Sequence, residues 1–339
     1  MKVLVVIGCL ARGGSERQLV NIVKHSRSNI DFQVVNWDGD ENDPYVPVLQ
    51  ELGVNIYHSD QGASLIRKVK FIRRLISLQS FNAVFSFSYY LNFPCYLATR
   101  GLSAKLIGSL RCSFNDILKS ENHFKLWLNF YPVKTIVVNS LVSQQEVEQK
   151  ANWFGSHRFK YLPNRINVPA DIENSIKARL KSFENKTISS LSIGRCDDNK
   201  RIDYIIIAIK NLADKGYTIK HTHLGKGDNL QSLIDLTIKL GIDKCFIFKG
   251  EVNDITPYLH NANVFVHAAL NEGSPNVVKE AQAYGLPTVS SNCGDASFII
   301  NEGATGFIIN QEHFGSEMLA IKLEKILTLS KDCYENMMR

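Results

Sequence analysis

The residues best suited to chemistry lie in Asn271-Glu272-Gly273-Ser274-Pro275-Asn276-Val277-Val278-Lys279-Glu280, where seven residues separate two glutamates. Ser274 and Pro275 predict the opening of a helix. Serine caps well, and proline loses nothing at a first helical position whose N–H is unpaired anyway. The amides of Asn276, Val277 and Val278 would then lie open to an anion, which a helix start holds by hydrogen bonds and by its dipole. Glu280, one turn in, can accept two hydrogen bonds from a vicinal diol such as a ribose. Glu272, on the preceding loop, can accept from sugar hydroxyls. A second cluster, Gly194-Arg195-Cys196-Asp197-Asp198-Asn199-Lys200, offers a guanidinium able to grip phosphate oxygens bidentately and an added positive charge.

Such groups need a scaffold. The chain has 339 residues, 45% of them hydrophobic and 21% charged, enough for two domains with real interiors. Short β-rich runs alternate with helical patterns: Lys2–Ile7, Phe32–Trp37, Val54–Tyr57, Ala83–Phe87, Lys105–Leu110 and Thr135–Val138. A second series runs through Ser189–Ile193, Thr218–Leu224, Cys245–Phe248, Val264–Val266, Thr288–Ser290 and Gly306–Ile309. This alternation predicts an α/β protein with two doubly wound, Rossmann-like parallel sheets. Pro163 and Pro169 bound an extended connector, which places the domain boundary near 165: 1–165, then 166–339. Ligands of such sheets bind at the carboxyl ends of the strands, so the expected site is an interdomain cleft.

The first segment resembles the retaining glycosyltransferases of family 4, whose hallmark is E-G-x-P-N-x-x-x-E-A. The likeness continues through Tyr284-Gly285-Leu286-Pro287, Cys293-Gly294 and Gly303-x-x-Gly306-Phe307. Arg195 and Lys200 look like the family's G-R-x(4)-K segment, and Leu224-Gly225-Lys226-Gly227 is similar to its G-x-G loop beside the base. In the first half, Gly13-Gly14-x-Glu16-Arg17 is similar to its glycine loop, where bare backbone can approach the donor phosphate. Ser15 and Gln18 could form a capping box there. Asn139-Ser140 and Pro163-Asn164 match further landmarks. The resemblance implies the GT-B fold, with an acceptor-binding first domain and a nucleotide-sugar-binding second domain. It implies donor contacts from Gly13, Gly14, Arg195, Lys200, Gly225, Glu272, Gly273, Ser274, Pro275, Asn276, Val277, Val278 and Glu280. Glu272, Arg195 and Lys200 would be catalytic. It also implies a UDP- or GDP-sugar donor, transfer without a protein nucleophile, and no metal or other cofactor. Two positions depart from the pattern: Ala269 stands where serine is frequent, and Ser86-Phe87-Ser88-Tyr89-Tyr90 lacks the histidine that many members carry after the fourth strand.

Charge adds a partner class. The net charge is +6, but residues 1–165 hold 20 Lys+Arg against 12 Asp+Glu, whereas 166–339 hold 19 against 21. The basic first half suits an anionic partner. Between Ile66 and Ile76 a helix would gather Arg67, Lys70, Arg73 and Arg74 on one side, a pattern compatible with anionic lipid. Together with the resemblance, this basic half implies as acceptor a glycan or lipid-linked intermediate of bacterial surface polysaccharide assembly (O-antigen, capsule or lipopolysaccharide). The expected place is the cytoplasm or the inner membrane face, without nucleic acid. Seven scattered cysteines with no CxxC spacing fit a reducing compartment. Asp38-Gly39-Asp40 and His221-x-His223 imitate metal motifs but read as a turn and as core. A nucleotide-sugar epimerase and an inactive binding subunit are the rival readings. The family also usually continues beyond the stretch that Lys331–Arg339 resembles.

Overall fold

A computed structural model describes residues 1–150, 158–166, 171–184 and 188–338; Asn167, Val168 and Pro169 of the connector lie outside them. The chain divides into two compact units, Met1–Arg165 and Ile166–Arg339.

The first unit is built on β1 (Lys2–Ile7), β2 (Asp31–Asn36), β3 (Asn55–His58), β4 (Ala83–Ser86), β5 (Lys105–Leu110), β6 (Ile136–Val138) and β7 (Phe159–Tyr161). Their order is β3-β2-β1-β4-β5-β6-β7, and every pairing is parallel. The second unit holds β8 (Ile188–Ile193), β9 (Ile219–Leu224), β10 (Phe246–Gly250), β11 (Val264–His267), β12 (Thr288–Ser291) and β13 (Gly306–Ile309). These lie in the order β10-β9-β8-β11-β12-β13, again parallel throughout. Twelve strands fall within two residues of the runs read from sequence. The thirteenth, β7, has three residues, too few for a period to show.

Parallel sheets must be covered on both faces, and alternation along a strand decides which helix covers which. Val3, Val5 and Ile7 pack with Leu19, Val20 and Val23 of the helix Gly14–Ser26, while Leu4 and Val6 turn to Ile72 and Ile76 of the helix Leu65–Gln79. That second helix therefore buries its apolar stripe on the sheet. Arg67, Lys70 and Arg74 remain exposed, while Arg73 donates to the carbonyls of Ala98 and Arg100 at 3.2 and 2.7 Å. In the second unit Phe265 packs with Val278 and Ala281 of the helix Asn276–Ala283, whereas Val264 and Val266 face Ile205 and Ile209.

Arg179 pins this second unit. Its side chain is buried and donates to Tyr284 O and Leu259 O at 2.6 Å and to Gly285 O at 3.2 Å. Burial lowers its pKa to about 10, leaving it cationic at neutral pH at the carboxyl end of the helix Asn276–Ala283, where a cation is favoured. Arg179→Met strands three carbonyls. Charge-assisted bonds of this kind are worth about 1.5–3 kcal/mol each, so a loss of roughly 3–5 kcal/mol and a midpoint about 10 °C lower are expected in thermal melts. A melt within 2 °C of wild type would remove the pin from the account.

Candidate functional site

In the second sheet β8 lies between β9 and β11, with Val264↔Ser190 and Phe265↔Leu191 in register. The connection leaving β8 goes to one side and that leaving β11 to the other. Their carboxyl ends thus open a crevice at a topological switch point, the place where α/β sheets take ligands. The loop after β8 carries Arg195 and Lys200, and the loop after β11 carries Glu272 through Pro275.

Asn199 joins these two loops. Its carbonyl accepts from Leu270 N at 2.8 Å, its Oδ1 accepts from Asn271 N at 3.0 Å, and its Nδ2 donates to Asn271 O at 3.0 Å. The loop ends at Arg201, which adopts a left-handed conformation (φ 45°) that costs a non-glycine residue about 1 kcal/mol. Hydrogen bonds to Asp203 at 3.0 and 2.6 Å and a stack on Tyr204 at 3.6 Å hold it there. Lys200 then meets Glu272: its Nζ donates to Glu272 Oε1, with only 17% and 22% of the two side chains exposed.

A third loop supports Glu272 from behind. Gly294 has φ +52°, and a Cβ on it would stand 2.2 Å from Gly273 O and 2.6 Å from Glu272 O. Only glycine tolerates both constraints. Asp295 N donates to Gly273 O at 3.1 Å, and Ser291 Oγ to Ala269 O at 2.5 Å. Ala269 is buried, so no hydroxyl reaches the site from that position. Sequence reading passed over His267: its Nε2 lies 3.8 Å from Glu272 Oε1, and burial, aided by Lys200, lowers its pKa to about 3. A neutral, buried imidazole thus backs Glu272. Burial also pushes the Cys293 thiol up to about 12, so it stays protonated beside the pair.

The helix expected at Ser274 starts later. It spans Asn276–Ala283 with Pro275 (φ −70°, ψ 100°) as N-cap, and no side chain caps it. Pro275 O turns back to accept from Val278 N at 3.1 Å and Lys279 N at 3.2 Å, so the Val278 amide is already engaged. Ser274 is not the cap; its Oγ is buried without a partner, a group that a ligand could satisfy. Glu280 follows one turn in, 8% exposed.

The other expected contacts lie on separate segments. Arg195 has 78% of its side chain exposed and meets Asp197 at 3.2 Å. Gly225 (φ +147°) would drive a Cβ to 1.8 Å from Gly194 O, so its bareness permits packing under the Arg195 loop. Gly13 and Gly14 belong to the first unit. Gly13 is the N-cap of the helix Gly14–Ser26, which has no side-chain cap, so the Ser15–Gln18 box does not form. Instead Gln18 Nε2 donates to Arg165 O at 2.9 Å, and Glu16, three residues after the cap, lays its carboxylate against Gly13. Asp38 accepts from Lys68 at 2.6 Å, Asp40 accepts from Asn42 N at 2.7 Å, and the two strand histidines lie in the core. Among the described residues no group of three or more His, Cys, Asp or Glu could hold a metal ion.

The profile described as "Glycosyl transferases group 1" matches residues 173–338, the whole switch-point site included. The chain carries a glycosyl transferases group 1 domain in its C-terminal unit. It is a glycosyltransferase with the GT-B fold of two parallel-sheet α/β units. A Haemophilus influenzae glycosyltransferase is 26% identical over 309 residues, 89% of this chain and 83% of that one. The Escherichia coli UDP-Gal:α-D-GlcNAc-diphosphoundecaprenol α-1,3-galactosyltransferase is 23% identical over 220 residues, 61% of this chain and 57% of that one. Among solved structures, Anabaena HepE bound to UDP and glucose superposes with a TM-score of 0.81, covering 100% of this chain and 92% of its own. At 17% identity that likeness speaks for the fold. Glu272 and Glu280 lie within the residues that this profile matches.

Proposed function

We propose that this glycosyltransferase moves a sugar from a nucleoside diphosphate sugar to a hydroxyl of a lipid-linked glycan, with retention at the anomeric carbon, during assembly of a bacterial surface polysaccharide. The ion pair of Lys200 with Glu272 at the switch point of the second sheet carries this reading. Lys200, Arg195 and the first amides of the helix Asn276–Ala283 would neutralise the departing diphosphate without a metal, and Glu280 would take the ribose diol. Glu272 would orient the sugar. The acceptor oxygen bonds to the anomeric carbon as its bond to the diphosphate breaks, and the nucleoside diphosphate leaves with the acceptor's proton. The first unit would receive the acceptor, with Gly13 and Gly14 offering bare backbone to donor phosphate.

Support for a lipid-linked acceptor is the Escherichia coli relative, whose named substrate is a diphosphoundecaprenol. Exposed Arg67, Lys70 and Arg74, with Ile66 beside them, suit peripheral contact with an anionic membrane. Among the described residues no helix is long and apolar enough to cross one.

The test pairs a panel of UDP-, GDP- and ADP-sugars with a polyprenyl-diphosphate glycan. Glu280→Ala should weaken nucleotide binding about 10- to 100-fold by calorimetry, the worth of hydrogen bonds to a charged acceptor. Unchanged affinity would remove Glu280 from the donor site.

A further inference from the structure

At the carboxyl edge of the first sheet, a separate pair of polar groups has too few partners. Arg111 follows β5 directly and Asn139 follows β6, one residue beyond the register pair Leu110↔Val138, so they stand side by side on neighbouring strands. The Arg111 guanidinium stacks on Phe87 at 3.8 Å and gives one hydrogen bond, from Nη1 to Asn164 Oδ1 at 3.2 Å. Among the described residues its Nε is buried and unpaired, its Nη2 carries no hydrogen bond, and no carboxylate forms an ion pair with it. Glu16 acts on it only through space, and burial lowers its pKa to about 10, so the charge persists at neutral pH. Asn139 is 5% exposed, and its Oδ1 has no partner.

A mostly buried cation without an anion is costly unless a ligand supplies one. Phe87 fixes the plane of the guanidinium, which leaves a donor edge suited to two oxygens of one phosphoryl group. An amide beside it can donate to a third oxygen or accept from a hydroxyl. We propose that Arg111 and Asn139 bind a phosphoryl group of the acceptor, so that this enzyme selects acceptors carrying a phosphate or diphosphate next to the sugar that receives transfer. This rests on the transferase reading above and adds to it a specificity-determining pair outside the donor cluster.

Two measurements decide it. The first compares a polyprenyl-diphosphate glycan with the same glycan on a neutral alkyl chain. Wild type should favour the phosphorylated acceptor in kcat/KM, and Arg111→Gln should shrink that preference about 10- to 100-fold through KM. Arg111→Lys should restore only part, because it returns the charge without the fork. The affinity for UDP or GDP should stay within threefold in Arg111→Gln; a fall would assign the phosphate to the donor and overturn the acceptor assignment. Equal losses on both acceptors would also overturn it. The second titrates inorganic pyrophosphate into an R195A/K200A variant of the full chain. Binding should persist there and weaken at least tenfold when Arg111→Gln is added; absent or unaltered binding refutes the anion site. If wild type transfers to neither acceptor, the transferase reading falls, while the pyrophosphate titration still decides this site.

Discussion

Lys200→Ala should lower kcat/KM about 10²- to 10³-fold, with the fold intact. A preorganised charge aimed at a developing diphosphate is worth several kcal/mol in a shielded site. The Lys200 side chain is 17% exposed, and its loop is fixed by Asn199 on one side and by the left-handed Arg201 on the other. It is therefore in place before any donor arrives. Arg195 differs. With 78% of its side chain exposed, water screens it, and Arg195→Ala should cost about tenfold or less. The Lys200 amine is bound to Glu272, so on the proposed reading a donor diphosphate would draw it away. Glu272→Gln removes that competitor. Nucleoside diphosphate should bind this variant at least as tightly as wild type, while transfer slows. Steady-state kinetics with calorimetry of the released nucleotide separates these outcomes. A Lys200→Ala enzyme within threefold of wild type would end the electrostatic account.

Legibility in the sequence followed physical range. The strands were visible because both faces of a parallel sheet are buried, so runs such as Val3-Leu4-Val5-Val6-Ile7 carry an unbroken apolar signal. The Glu272–Glu280 segment and the Arg195–Lys200 loop could be singled out because each is a continuous stretch whose residue order resembles a family 4 pattern. What stayed hidden was long-range. Nothing near Asn199 says that it will join two loops, and nothing near Gly294 says that its missing side chain makes room for Gly273 and Glu272. The helix start was misplaced for a local reason: Pro275 took an extended ψ and became the cap itself, which left the Ser274 hydroxyl buried. The capping box expected in the first unit failed likewise. Ser15 and Gln18 fit the capping-box spacing, but Gln18 was drawn to Arg165 O, 147 residues away.

Acidification should unfold the second unit well before carboxylates titrate. Three histidines lie buried in it: His221 and His223 are fully covered, and His267 is 3% exposed. The first two belong to a chain of hydrogen bonds across β8 and β9: Ser190 Oγ to His221 Nδ1, His221 Nε2 to Ser192 Oγ, and Ser192 Oγ to His223 Nδ1, each at 2.8 Å. The chain ends with His223 Nε2 at 3.2 Å from Gly194 O. A carbonyl can only accept, so His223 Nε2 must carry its proton. Ser192 therefore donates to Nδ1 of His223 and accepts from Nε2 of His221, and Ser190 donates in turn. Every site is satisfied with both rings neutral. A further proton would set N–H against O–H, in surroundings that already penalise charge.

The pKa directions agree: burial lowers His221 well below its ordinary value, His223 to about 4 and His267 to about 3. The folded base is weaker than the unfolded one, so below about pH 6.5 the unfolded chain binds protons that the folded chain refuses. Stability is complete above that pH and falls as pH drops, by about 1.4 kcal/mol per unit for each ring. At pH 5 the loss is about 2 kcal/mol per histidine and roughly 6 in all, comparable to the whole margin of a domain. Glu121 and Glu324, whose pKa values are lowered by lysine partners, lose their contribution only below about 4.5, outside this window. All three tryptophans (37, 127 and 153) lie in the first 165 residues, so fluorescence follows the first unit and far-UV dichroism follows both. In urea the two transitions should separate between pH 7.5 and 5, with dichroism melting earlier. His223→Gln keeps a donor for Gly194 O but cannot titrate, and should recover about a third of the loss. Identical denaturation profiles at both pH values would mean that these rings are not held neutral.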